Sequence, residues 1–208
     1  MKISENKINE FYTEFISELN SVGVDTEKLV KFVGEDRIKQ SPAGLEVKSG
    51  LACPGALLFL IINSLKYAKK LYSATTSEKT VQTATGTDTR MVNELGVNYE
   101  SLVKVALLHH IGKAMIYEPN DDEWQVNKRG IIYKWVDNDT TINCGERSQY
   151  ICQRCGIEFS ETEFEAMKIN DKNNEDKFSM LHIQPLSMLI KQADELTYMR
   201  INLANKKK

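Results

Sequence analysis

The stretch 101–114, Ser-Leu-Val-Lys-Val-Ala-Leu-Leu-His-His-Ile-Gly-Lys-Ala, constrains the fold more than any other part of the sequence. Its apolar residues recur at helical spacing, so one face of the helix should be buried. These positions are Val103, Leu107 and Leu108. Two of the chain's three histidines, His109 and His110, follow at the inner end of that face, before Gly112, where a helix can loosen or stop. The pattern predicts a helix that carries two imidazoles into the protein interior.

Helical periodicity dominates the rest of the chain, which predicts a mainly α fold. Residues 123–136 are different, because alternation, β-branched residues and Gly130 predict one inserted β-hairpin there. The Thr- and Ser-rich residues 73–90 are interpreted as a polar loop. The predicted helices lie near 3–33, 56–73, 99–111, 145–155 and 161–169, with a last one from about Pro185.

The chain's 208 residues are enough for one domain, or for a domain with a small extra lobe. We expect residues 1–36 to form an N-terminal helical segment packed on the core. Residues 37–208 are expected to form the main helical domain.

Net charge and hydropathy exclude several classes of partner. A formal charge of −2 gives no electrostatic footprint for nucleic acid or for a membrane surface. The most apolar run, 56–62, is far shorter than the ~20 residues that span a bilayer. Residues 1–20 lack the pattern of a signal peptide, and the four cysteines are then expected to be reduced thiols in the cytoplasm.

Residues 107–113 read Leu-Leu-His-His-Ile-Gly-Lys, which resembles the signature Leu-Leu-His-Asp-Ile-Gly-Lys of HD-domain metal-dependent phosphohydrolases. The resemblance covers roughly residues 40–200, and His110 takes the place of the family's aspartate. It implies an HD-like helical bundle. In that family, histidines and aspartates on different helices hold two metal ions, which activate water for phosphoester cleavage.

The other ligand positions of the family are mostly altered. Residues 54–58, Pro-Gly-Ala-Leu-Leu, look like the start of Pro-Gly-Gly-Leu-Leu-Glu-His-Ser-Leu-Asn, which is common in a bacterial and phage-borne branch. In that register Leu60 replaces the first histidine and Asn63 matches the asparagine. An alternative register puts Asn63 in the histidine's place.

Three later segments are also similar to the family. Residues 142–148 resemble Leu-Gly-His-Gly-Glu-Lys-Ser, so Cys144 replaces a histidine. Residues 166–172 resemble Ala-Leu-Ala-Ile-Arg-Trp-His, so Lys172 falls near another. Asp194 matches the aspartate of the closing Ala-Asp segment. By this resemblance only His109 and Asp194 are retained ligands.

Two interpretations of the remnant site remain open. His109 and Asp194 could form a buried hydrogen-bonded pair without any cofactor. Alternatively, His109, His110 and Asp194, with Cys144 as a possible further ligand, could hold one divalent transition metal.

The remaining candidate residues carry weaker signals. Cys152 and Cys155 form one Cys-x-x-Cys pair on a helix face, which favours core packing over half of a zinc ribbon. A zinc-bound interaction protein built on Cys144, Cys152 and Cys155 is a third reading. His182 is isolated and is interpreted as a surface or satisfied histidine.

The sequence therefore leads to two functional hypotheses. The first is a catalytically degenerate HD-like protein that binds a nucleotide or a protein partner. The alternative is an active phosphohydrolase acting on a nucleotide or other phosphoester through a mononuclear site at His109, His110 and Asp194.

Overall fold

The computed structural model describes residues 2–83, 86–137, 142–168 and 184–206. The helices are α1 (Glu5–Ser21), α2 (Thr26–Val33), α3 (Glu35–Gln40), α4 (Ala56–Ala74), α5 (Tyr99–Leu108), α6 (Cys144–Arg154), α7 (Glu161–Ala166) and α8 (Pro185–Lys206). Short helical turns lie at Val47–Ser49, Ile111–Met115 and Gln125–Arg129. The strands are β1 (Thr76–Thr83), β2 (Gly86–Asn93), β3 (Tyr117–Pro119) and β4 (Tyr133–Trp135).

Helix α4 is the central element, and it packs against α8, α5 and α1. Its N-terminal half is buried nearly all round, because almost every side chain there is apolar. These buried residues are Leu57, Leu58, Leu60, Ile61, Ile62 and Leu65. The C-terminal half carries Lys66, Lys69 and Lys70 at the surface or half-buried. Within the described residues, no helix has both the length and the apolarity to cross a membrane.

The N-terminal helices α1 and α2 contribute to the same core. Phe15 and Leu19 of α1 and Leu29 of α2 are fully buried and belong to one hydrophobic core with residues of α4 and α5. Asp25 caps α2, since its carboxylate accepts the backbone N–H of Lys28 at 3.3 Å. Helix α1 therefore packs on α4 and on α5, the helix that leads to His109.

The predicted mainly α fold with an antiparallel β-hairpin is confirmed. One antiparallel pair, β1–β2, lies in the segment that was interpreted as a polar loop, and that interpretation is wrong. The pairing runs from Thr76↔Asn93 to Thr83↔Gly86. Threonine is β-branched and favours extended backbone, so a Thr-rich stretch can form an exposed two-stranded ribbon as readily as a loop.

The hairpin predicted over 123–136 has a different first strand. Strand β4 lies in this segment, but it pairs with β3, in the register Tyr117↔Trp135. Residues 123–127 are helical instead, because the Asp122 carboxylate accepts the backbone N–H of Gln125 at 3.0 Å and caps a turn. Gly130, at φ +65°, ends that turn in the left-handed region rather than forming a hairpin bend.

Candidate functional site

Helices α5 and α8 bring the candidate residues together. Asn98 caps the start of α5 by accepting the backbone N–H of Ser101 at 2.9 Å. The helix ends at His109, and His110 opens the turn Ile111–Met115. Asp194 comes from the middle of α8, which also packs on α5. The helix predicted over 99–111 is thus about one turn shorter than expected, and Ile111–Met115 form a separate 3-10 turn.

The two histidine side chains converge on one carboxylate oxygen of Asp194. The Nε2 atoms of His109 and His110 each lie 2.9 Å from Oδ2 of Asp194. The three residues are 3%, 4% and 1% exposed, respectively. Their ligand atoms all lie within 4.8 Å of one another. The cluster has the spacing of a single metal centre and the burial of a core polar network.

The proton on His109 is fixed by its backbone neighbour. Nδ1 lies 2.9 Å from the carbonyl oxygen of Val105. A carbonyl oxygen only accepts, so Nδ1 must carry a proton and donate it. Nε2 then has two states. It is either protonated and donates to Asp194, or it presents a lone pair to a cation at the carboxylate.

When no metal is bound, the electrostatics of the cluster favour a protonated Nε2 of His109 that donates to Asp194. Burial alone would lower the pKa of His109, but the Asp194 charge and the hydrogen bonds to Asp194 and Val105 raise it. Burial would raise the pKa of Asp194, but the two imidazoles hold it well below its usual range. Burial lowers the pKa of His110 to about 4. The Asp194 anion therefore favours the protonated form of His109, whereas His110, with its pKa of about 4, is neutral at pH 7.

The imidazole of His110 lacks the aligned hydrogen bond to Asp194 that His109 makes. Its Nε2 is close to Oδ2 of Asp194, yet it is not aligned for a hydrogen bond. The two imidazole rings are 3.9 Å apart between centroids and tilted by 36°. A buried ring nitrogen without an aligned hydrogen bond is costly, and a bound cation would remove that cost.

Helix α6 fixes the backbone that carries the histidines. The Ser148 hydroxyl accepts the N–H of Gly112 at 2.8 Å and lies 2.9 Å from the carbonyl oxygens of both His109 and Cys144. A side chain at Gly112 would collide with the Cys144 carbonyl and the Ser148 backbone. Gly112 is thus required by close packing on α6, rather than by the end of a helix.

A cation and two phenols surround the cluster. Burial alone would lower the pKa of Lys113, but Tyr198, Cys144 and Tyr117 raise it, so its ammonium is charged at neutral pH. Its Nζ lies 6.0 Å from the ring centroid of Tyr117. Burial raises the pKa of Tyr198 to about 12, and Asp194 acts in the same direction. Lys113 and Tyr198 extend the site from the imidazoles toward β3.

Several residues in the positions of family ligands do not join the cluster. Leu60 is fully buried in an apolar group with Ala56 and Ile201. Asn63 donates from its side chain to the Phe59 carbonyl at 2.7 Å. Cys144 is half-buried near Lys113, but its sulfur is outside the group of three ligand atoms. Lys172 and His182 lie outside the described residues.

Cys152 and Cys155 lie in the hydrophobic core, 0% and 3% exposed, as the core-packing interpretation predicted. Burial raises the pKa of the Cys152 thiol, which disfavours the thiolate that zinc requires. Among the described residues, no cluster of three ligating side chains contains either cysteine.

Sequence reasoning missed Lys113 and Tyr198 as parts of the site. Lys113 follows His110 by three residues, and its backbone N–H donates to the His110 carbonyl at 3.0 Å. Tyr198 follows Asp194 by four residues on α8, a spacing that places both on one helix face. This second spacing could have been read from the sequence once Asp194 was chosen.

The chain was compared with protein-family models, with curated proteins and with solved structures, and none of the three comparisons found a match.

Proposed function

We propose that this protein is a catalytically degenerate HD-like phosphohydrolase that acts as a nucleotide-binding module. The observation that carries the proposal is the composition of the buried cluster, which has two imidazoles but one carboxylate. The HD signature around His109 motivates the family assignment, and the convergence of His109, His110 and Asp194 is what such an origin predicts.

The cluster is short of the anionic ligands that two-metal chemistry uses. Two ions about 3.5–4 Å apart need oxygen ligands that bridge them and offset their charge. Asp194 is the only carboxylate in the described cluster, and two imidazoles already lie 2.9 Å from it. Leu60 or Asn63 stands where the family has a further histidine. These substitutions favour the loss of the dinuclear centre.

Charge favours a phosphate-bearing ligand over a neutral one. Lys113 supplies a positive charge beside the cluster, and the Asp194 anion raises the pKa of His109, which favours its protonated form. An ammonium group in a partly desolvated position is a common phosphate ligand. A protein partner is the other form of binding module that the sequence analysis allows.

The test combines binding with turnover. Purified protein is titrated calorimetrically with a panel of nucleotides and then assayed for hydrolysis with Mg²⁺, Mn²⁺ or Zn²⁺. We expect binding that weakens in Lys113→Met and no hydrolysis above background. Robust hydrolysis that disappears in Asp194→Ala, but persists in the exposed neighbouring variant Glu195→Ala, would overturn the proposal.

A second function, a mononuclear phosphohydrolase, is favoured by the hydrogen bond from His109 Nδ1 to Val105. Metal-binding histidines usually donate their other ring nitrogen in this way, which orients the ligand nitrogen. Two imidazoles and one carboxylate would leave coordination positions open for water and substrate. This function predicts stoichiometric metal after purification without chelator, and less than ~0.1 ion per chain rules it out.

A further inference from the structure

Both tryptophans of the chain are exposed, and both lie in the segment that follows the histidine turn. Trp124 is 61% exposed and Trp135 is 58% exposed. Tryptophan is on average a highly buried residue, and exposed examples concentrate in binding sites. Neither side chain is in the hydrophobic core, so packing does not explain them.

Trp135 differs from Trp124 in its connection to the candidate site. It is paired with Tyr117 across β3 and β4, with ring centroids 5.1 Å apart. Tyr117 is also a neighbour of Lys113, whose Nζ is 6.0 Å from the Tyr117 centroid. The backbone N–H of Lys113 donates to the His110 carbonyl at 3.0 Å. An exposed indole and a cation thus both lie against Tyr117, next to the cluster.

Strand β4 is held in place, so the indole is presented from a fixed backbone. The Val136 N–H donates to the Ile116 carbonyl at 3.0 Å, and the Ile132 N–H donates to the Leu45 carbonyl at 3.1 Å. Lys134, on the opposite face of the strand, pairs with Asp121 at 2.7 Å. A ligand that stacks on Trp135 would therefore not have to order the strand first.

We propose that Trp135 is a stacking surface for the base of a nucleotide whose phosphate lies at Lys113. The inference rests on the proposed function, which supplies a nucleotide, and adds how its base is held. A base has a large aromatic face, and stacking on an aromatic side chain tolerates every base. The surface should accordingly bind purine and pyrimidine nucleotides, with little discrimination between them.

The two tryptophans allow a test by fluorescence. Trp124→Phe leaves Trp135 as the only tryptophan, and Trp135→Phe leaves Trp124. Each protein is titrated with AMP, and ribose 5-phosphate serves as a ligand that lacks the base. We expect saturable quenching by AMP in Trp124→Phe, and no saturable quenching in Trp135→Phe or with ribose 5-phosphate.

Calorimetry on unlabelled protein measures the contribution to affinity. We expect Trp135→Leu to weaken AMP binding about 5- to 100-fold, and Trp124→Leu to leave it unchanged. Trp135→Tyr should retain most of the affinity, because it retains an aromatic face. Circular dichroism checks that each variant is folded.

The outcomes separate this inference from the function on which it rests. If the wild type binds AMP and Trp135→Leu binds it equally well, the stacking surface is wrong and the binding module stands. If the wild type binds AMP and ribose 5-phosphate with equal affinity, the stacking surface is likewise wrong and the binding module stands. If the wild type binds neither AMP nor any other nucleotide at millimolar concentration, both proposals fail.

Discussion

The Ser148 hydroxyl accepts the backbone N–H of Gly112 at 2.8 Å, and this bond joins α6 to the turn that carries His110. Ser148 is fully buried, so its loss would leave the Gly112 N–H without a partner. We expect Ser148→Ala to lower the free energy of unfolding by about 1–3 kcal/mol. Urea denaturation followed by circular dichroism measures the change.

Ser73 offers a matched control for Ser148. Its hydroxyl also donates to the carbonyl four residues earlier on its helix, at 2.9 Å, but the residue is exposed. Ser73→Ala should change stability by less than about 0.5 kcal/mol. Equal effects of the two substitutions would mean that the Ser148–Gly112 bond has no special role.

Asp194 raises the pKa of the buried His109, so removing its charge should be costly. In Asp194→Asn the shape is kept, but His109 loses the anion that holds its proton. We expect a loss of about 3–5 kcal/mol, typical of breaking a buried ion pair. The measurement is urea denaturation in the presence of chelator. Glu195→Gln changes the exposed neighbouring carboxylate and should leave the free energy of unfolding nearly unchanged. If Asp194→Asn also left it unchanged, the inferred charge interaction between Asp194 and His109 would be wrong.

Local signals allowed most helices to be predicted from the sequence. Helix α4 was predicted at 56–73 and is Ala56–Ala74, since its apolar run is long and continuous. Helix α7 was predicted near 161–169 and is Glu161–Ala166, with a capping box of Ser160 and Glu163 at its start. The ribbon β1–β2 was missed because exposed threonines carry no burial pattern. Residues 123–127 were assigned to the predicted hairpin, because their alternation does not reveal the helix cap that Asp122 supplies.

The candidate site was only partly predictable. His109 and Asp194 are 85 positions apart, and no periodicity links residues at that separation. The family resemblance supplied both, and the structure brings them into contact. The i, i+4 spacing places Tyr198 beside Asp194, but the approach of Lys113 to Tyr198 and Cys144 depends on how the histidine turn packs on α8 and α6, which spacing does not give.

We expect the Glu163 carboxylate to stabilise the fold in a way that is lost in acid. Burial alone would raise its pKa, but hydrogen bonds from Lys104 and the Ser160 backbone lower it below the usual value. The Lys104 ammonium lies 2.8 Å from its carboxylate. Since the folded-state pKa is depressed, the contribution is present above the unfolded pKa of about 4.3. It is lost as pH falls through the folded pKa.

Comparing Glu163→Gln with the wild type isolates that contribution. At pH 7 we expect the variant to be less stable by about 1.5–3 kcal/mol, and the difference should shrink as the solution is acidified below the unfolded pKa. Urea denaturation at a series of pH values follows the difference. Glu161→Gln, on the exposed side of the same helical turn, is the control. A difference that stays constant on acidification would contradict the pKa direction.

The ribbon β1–β2 should be dispensable for folding, although its base is not. None of its apolar side chains belongs to the described hydrophobic core. At the base, the Asn93 side chain donates to the Tyr72 carbonyl and accepts the backbone N–H of Leu95 and Val97, at 3.1–3.3 Å. Asn93 thus ties the end of α4 to the start of α5, whereas the ribbon beyond it extends from the body.

Replacing residues 77–92 with Gly-Gly joins Thr76 to Asn93, which are paired in the register, through a two-residue turn. We expect this deletion to keep the cooperative unfolding of the helical body, with a stability change within about 1 kcal/mol. Asn93→Ala in the full chain should cost more, about 1–3 kcal/mol, because buried backbone groups lose their partners. Chemical denaturation of both proteins shows which change lowers the free energy of unfolding more. A deletion more damaging than Asn93→Ala would mean that the ribbon itself stabilises the helices.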